Sequence, residues 1–204
     1  MKFAQIISYL FHPALMPTLG IALILNLDTY FRFSISAELK NFILGLIFVN
    51  TFFFPILILV FLKSRKIISS FQIDNRKERI IPFAISSIFF VFTYSVIQKT
   101  TLPPIILSTF LGITLSIISA FLISFFNKIS IHMVGISGIL AALIALFLKF
   151  SASYFYEITI VVLIWGLVGF SRLKLKKHNH QEIYFGAFLG IICVFIPTYF
   201  GITI

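Results

Sequence analysis

Charge is scarce in this chain. Only 11% of its 204 residues are Asp, Glu, Lys or Arg, where soluble domains carry about 25%. Carboxylates are scarcest, six against 16 Lys and Arg, so the formal net charge is +10. The hydrophobic share reaches 60%. No water-soluble core of this size hides so much apolar surface, which excludes a soluble domain and leaves one membrane domain over residues 1–204. The single cysteine, Cys193, excludes an intrachain disulfide and reads as a small side chain in an apolar run. The four His are too scattered to suggest a metal site by spacing, and no cofactor is expected. No small-residue cleavage site follows Lys2, so the first apolar run is expected to be retained. No internal repeat or low-complexity tail is visible. Short segments of alternating apolar and polar residues are also missing, which excludes a transmembrane barrel. In lipid every backbone polar group must be satisfied internally, so helices remain.

What is present is long apolar runs, rich in Ile, Leu and 27 Phe. A spanning helix needs about 20 mostly apolar residues. Seven stretches qualify or come close, at 3–25, 42–62, 80–97, 104–126, 133–148, 154–170 and 183–202. The expected fold is all-α, a polytopic bundle of six or seven spans with a site at one membrane interface. His12-Pro13 and Pro17 interrupt the first stretch and predict a kinked or re-entrant segment.

The most polar joints are 63–79, 128–132 and 171–182. They follow the second, fourth and sixth spans. Joints two crossings apart lie on the same side, so all three are expected on one face, with the N-terminus. That face carries twelve of the 16 Lys and Arg; Arg32, Lys40, Lys99 and Lys149 fall on the other. The positive-inside rule assigns the polar face to the cytoplasm of a cell membrane. Setting aside Arg76, Arg79, Lys128 and Arg172 as candidate ligands leaves eight against four, the same direction.

On that face the three joints supply Arg76, Lys77, Arg79, Lys128, Ser130, His132, Arg172, His178 and Glu182, with His180 beside them. Guanidinium groups bind phosphoryl oxygens bidentately, and lysine binds them as a point charge. Hydrolysis without metal needs a nucleophile and an acid for the leaving oxygen, and imidazole serves as either. His178 and Glu182 are four apart and would share one face of a helix. A carboxylate beside an imidazole fixes its tautomer and stabilises the charge developing during attack.

These residues resemble the type 2 phosphatidic acid phosphatase superfamily, membrane relatives of vanadium haloperoxidases and bacterial acid phosphatases. Its last motif is Ser-Arg, five residues, His, three residues, Asp; here Ser171-Arg172, His178 and Glu182 keep that spacing. Its middle motif, Pro-Ser-Gly-His, appears as Ile129-Ser130-Ile131-His132. Its first motif, Lys, six residues, Arg-Pro, is degenerate, with Gln72 in place of Lys and Arg79 separated from Pro82. The resemblance spans 76–182 in the family's order. It implies that His178 attacks phosphorus, that Glu182 orients His178, and that His132 protonates the leaving oxygen and then activates water. Arg79, Arg172 and Ser130 would hold the phosphoryl oxygens, with Lys128, Arg76 and Lys77 added from position. The implied activity is metal-independent hydrolysis of a lipid phosphomonoester or diphosphate, of the phosphatidate, phosphatidylglycerophosphate, polyprenyl diphosphate or lipid A type. The substrate lipid and the surrounding membrane lipids are then the expected partners.

Plainer readings stand beside these. Lys174, Lys176 and Lys177 read as surface charges near anionic headgroups, His180 as solvated, and His12 as a buried histidine at a kink. Gly186 and Gly190, four apart, predict close packing on a neighbouring helix, with homodimerisation as a second use. A lipid phosphotransferase with the same histidine intermediate, or a non-catalytic membrane protein with a decayed site, are the alternatives. A transporter would place its polar groups near the midplane, whereas these lie at one interface. Nucleic-acid binding finds no support.

Overall fold

The computed structural model describes residues 1–27, 34–71, 73, 75–151 and 154–204. Arg32, Gln72 and Asp74 lie outside them. The chain is 79% helical and, among the described residues, contains no strand. Seven helical stretches are long and apolar enough to cross a membrane, so the fold is an all-α polytopic bundle.

The first span is broken. Helix α1 (Lys2–Leu10) ends before Pro13, a 3-10 turn follows at Pro13–Leu15, and α2 (Met16–Asn26) completes the crossing. Pro13 and Pro17 have no N–H to give, and that is what interrupts the ladder. The second span joins α3 (Ala37–Phe48) to α4 (Phe54–Ser64) through a π-helical turn at Val49–Phe53. The two irregularities face each other, and the Thr51 hydroxyl donates to the Ala14 carbonyl at 3.2 Å. The remaining spans are α5 (Ile80–Ile97), α6 (Pro104–Ile123), α7 (Ile131–Phe150), α8 (Phe155–Lys174) and α9 (His180–Phe200). Proline at the start of α6 and the Asn179 cap of α9 mark the local starts.

Helix α9 packs most extensively on α7 and then α6, while α8 bridges α7 and α1. In lipid, apolar side chains gain little by leaving their solvent, so small residues and close backbones hold spans together. Gly186 and Gly190 show this directly. A Cβ at Gly190 would stand 2.3 Å from the Val134 carbonyl, and one at Gly186 would stand 2.6 Å from the Ser130 carbonyl. The small-residue stripe is therefore used inside the chain, between α7 and α9.

The three polar joints meet at one end of the bundle. Arg79 of the first joint donates from Nη1 to the Ile129 carbonyl of the second at 3.0 Å. Lys128 of the second donates to the Lys177 carbonyl of the third at 2.9 Å. The alternation of crossings expected from the sequence is thus realised in direct contacts.

Candidate active site

Helix α8 ends in a turn that delivers His178. Lys177 N–H bonds the Arg172 carbonyl at 3.1 Å and Lys176 N–H bonds the Leu173 carbonyl at 2.9 Å. This is a Schellman arrangement, whose left-handed position normally holds glycine; here it is Lys176, at φ 52°. The chain then turns into α9 through Asn179, whose Oδ1 accepts from Glu182 N–H at 2.8 Å.

His178 therefore precedes α9 rather than riding on it. The expectation of a shared helix face is corrected: the capping turn brings the pair together. His178 Nδ1 and Glu182 Oε2 are 2.5 Å apart. Glu182 is the third residue of α9, and its side chain meets His178 Nδ1. Its carbonyl accepts from Ser130 N–H at 3.0 Å, tying α9 to the start of α7.

His178 is buried, at 8% exposure. Burial first, and then the charges of Arg79, Arg172, Lys128 and Lys177, lower its pKa from 6.5 to about 2. The ring is neutral at pH 7. Its one proton sits on Nδ1, because only a donor can meet a carboxylate there. Nε2 is left with its lone pair.

Each cation near it has a fixed pose. Arg79 sits in the 3-10 turn Lys77–Arg79, is 6% exposed, and donates from Nε to the Ile73 carbonyl at 2.9 Å. Arg172, on the last turn of α8, reaches the Ser8 hydroxyl at 3.4 Å. Ser130 caps α7 and is fully buried; its hydroxyl has no hydrogen-bond partner among the described residues. Its neighbour Ile131 opens α7 with ordinary helical backbone.

His132, on the first turn of α7, donates from Nε2 to the Ser8 carbonyl at 3.2 Å, since a carbonyl only accepts. Its ring stands edge-on to His12, with centroids 6.0 Å apart. The charge of Arg172 reaches His12, His132 and His178 alike.

Seven of the nine residues singled out from the sequence thus converge: Arg79, Lys128, Ser130, His132, Arg172, His178 and Glu182. Arg76 does not join them, and its Nη1 instead holds the Phe126 carbonyl, joining two loops. Lys77 is exposed. Three residues were missed. Ser8 bridges His132 and Arg172, His12 abuts His132, and Lys177 acts on His178 although it read as a surface charge. Among the described residues, no group of three or more His, Cys, Asp or Glu is placed to hold a metal ion.

Fold and cluster define a multi-pass membrane protein with a cationic histidine–carboxylate site at one end of its bundle. Comparison with protein families, with characterised proteins and with solved structures yields no match to this chain.

Proposed function

We propose that this protein is an integral membrane lipid phosphatase that works through a phosphohistidine, without a metal. The observation that carries the reading is the contact of His178 with Glu182, which leaves Nε2 of a neutral imidazole unprotonated beside Arg79, Arg172 and Lys128. Cations draw a phosphoryl dianion in, and a neutral imidazole then attacks it.

In the first step the Nε2 lone pair of His178 forms a bond to phosphorus as the bond to the leaving oxygen breaks. Glu182 stabilises the positive charge that grows on the ring. His132 gives the leaving oxygen its proton. Because Nε2–H of His132 is held by the Ser8 carbonyl, Nδ1 is the atom left to pass the proton. In the second step neutral His132 takes a proton from water, the hydroxide attacks phosphorus, and the bond to His178 breaks. Arg79, Arg172 and the Ser130 hydroxyl steady the oxygens throughout.

The excess of Lys and Arg on this face supports a cytoplasmic orientation. A cysteine substituted for exposed Lys174, with Cys193 removed, should stay unlabelled by an impermeant thiol reagent in intact cells. The test of the function is phosphate release from a panel of lipid phosphates by purified protein with EDTA present. EDTA-resistant release lost in His178→Ala supports the reading. Release that survives this substitution removes His178 as the nucleophile.

A further inference from the structure

The site is closed off. Ser130 is fully buried, and Arg79, Arg172 and His178 are each less than a tenth exposed. Cavities of about 430 Å³ and 60 Å³ adjoin it, but neither is lined by His178, Ser130, His132 or Arg172. An anion reaches Nε2 of His178 only if some element moves. Most neighbouring elements are interlocked. Helix α9 is seated on α7 at Gly186 and Gly190 and on α6 at Gly112, and a Cβ at any of the three would lie 2.6 Å or less from a carbonyl oxygen. Trp165 ties α8 to α7 by donating to the Ser137 hydroxyl at 2.8 Å. Arg79 ties the first polar joint to the second.

Helix α1 is held differently. It packs on α8 and buries one face, Ala4, Ile7 and Ser8. Its other face, with Phe3, Ile6, Tyr9 and Leu10, is exposed on the surface that a bilayer covers, so outward movement tears no second packed face. Among the described residues, no backbone hydrogen bond crosses from 1–11 to 12–26. Past that break the chain is pinned. Thr51 holds the Ala14 carbonyl, and Met16 lies so close over Gly135 that a Cβ there would stand 2.7 Å from its Cγ. Before the break, the hydrogen bonds that tie α1 to other helices both come from Ser8. Its carbonyl accepts from His132 Nε2 at 3.2 Å, and its hydroxyl accepts from Arg172 Nη1 at 3.4 Å.

We infer that α1 is a gate to the site, hinged at Phe11–His12 and latched by Ser8. The latch is made to the site's own side chains. Hydrogen bonds between two ionised groups are roughly twice as strong as those between neutral ones. An anion arriving at Arg172 therefore displaces the long contact to a neutral hydroxyl and loosens the gate. Closure restores the Ser8 carbonyl to His132 and shuts water out, as lids over reacting centres do. On the phosphatase reading, His132 is thus set for proton transfer only with the gate shut. The gate itself does not depend on that reading.

The experiment uses the full chain in phosphatidylcholine vesicles, with Cys193→Ser and nitroxide labels on cysteines placed at exposed Gln5 and Lys174. Pulsed electron paramagnetic resonance should resolve two distances. Ser8→Ala combined with His132→Phe removes both latches and keeps a ring in place, and it should enlarge the longer-distance population several-fold. Labels at Leu19 and Lys174 should give one distance, because α2 lies past the hinge. A single unchanged Gln5–Lys174 distance in both proteins, or two distances for Leu19–Lys174, overturns the inference. Diethyl pyrocarbonate, which modifies the free nitrogen of a neutral imidazole, should attack His178 several-fold faster in the double variant, read by mass spectrometry. Exposed His180 should react equally in both proteins. A swinging α1 with an unchanged His178 rate shows that α1 is not the gate. Neither readout needs turnover, so a protein that passes both and hydrolyses nothing keeps the gate and loses the phosphatase reading.

Discussion

His178 and Glu182 meet at 2.5 Å across a helix start, the histidine one residue before the Asn179 cap and the glutamate three residues after it. Their geometry belongs to the cap. The longer glutamate arm is what spans that distance. On the proposed mechanism, Glu182→Asp shortens that arm by one methylene and should lower kcat by roughly a hundredfold, since about 1 Å of misplacement costs that much. Glu182→Gln should cost at least as much, because an amide supplies no charge to the growing imidazolium. Steady-state kinetics of both variants on one lipid phosphate decide the matter. An aspartate variant as fast as wild type would mean that the capping turn adjusts and does not fix the pair.

The role given to His132 depends on the leaving group. Without its acid, an alkoxide must depart unprotonated, at a cost of about 10² to 10⁴ in rate. His132→Ala should lose that much on an alkyl phosphate and little on p-nitrophenyl phosphate, whose phenolate leaves unaided. Equal losses on both substrates would remove His132 from the proton transfer.

Acid should loosen the fold through His178. Its folded pKa lies near 2 and its ordinary value is 6.5. Between these values the unfolded chain binds a proton that the folded chain refuses. The stability from the neutral ring is therefore complete above pH 6.5 and declines as the pH falls towards 2. One proton corresponds to a slope of about 1.4 kcal/mol per pH unit. Melting in detergent at about pH 7 and pH 5 should show a smaller drop for His178→Gln than for wild type. Equal drops would show that this histidine does not set the acid response.

Gly190 should behave unlike Gly166. Ala at Gly190 would put a Cβ 2.3 Å from the Val134 carbonyl, a backbone atom that cannot step aside. The expected loss is about 1–3 kcal/mol, as for other overpacked sites. Gly166, also within a helix, has nothing within 4 Å of such a Cβ. Gly166→Ala should be neutral or stabilise by roughly 0.5–1 kcal/mol. Thermal melts of the two variants would separate these outcomes, and a silent Gly190→Ala would contradict the close α7–α9 contact.

Much of the fold was legible because lipid demands long apolar runs and polar joints between them. The number of spans, the break at His12-Pro13 and the meeting of three joints on one face all follow from that demand. The first span's part in the site was not legible. Nothing about a lone Ser8 in an apolar helix shows that its carbonyl will hold His132 and its hydroxyl Arg172, 124 and 164 residues away. Such contacts are set by how α1 leans on α8, which periodicity does not encode. The spacing of His178 and Glu182 pointed to the right pair for the wrong reason, since four residues match a helical turn and also a capping turn. Lys176 concealed that turn, because a lysine in the left-handed position gives no signal where a glycine would.

The Ser130–Glu182 bond and the Gly186 contact have a consequence for biogenesis. Spans enter the membrane in the order of synthesis, and α9 emerges after α1 to α8. Until it docks on α7, Glu182 has no fixed place and His178 has no carboxylate to set its tautomer. A ribosome-bound chain that has inserted six spans therefore already carries Arg79, Lys128 and His132 but lacks the His178–Glu182 pair. The histidine–carboxylate pair is therefore completed by one docking event, the seating of α9 on α7.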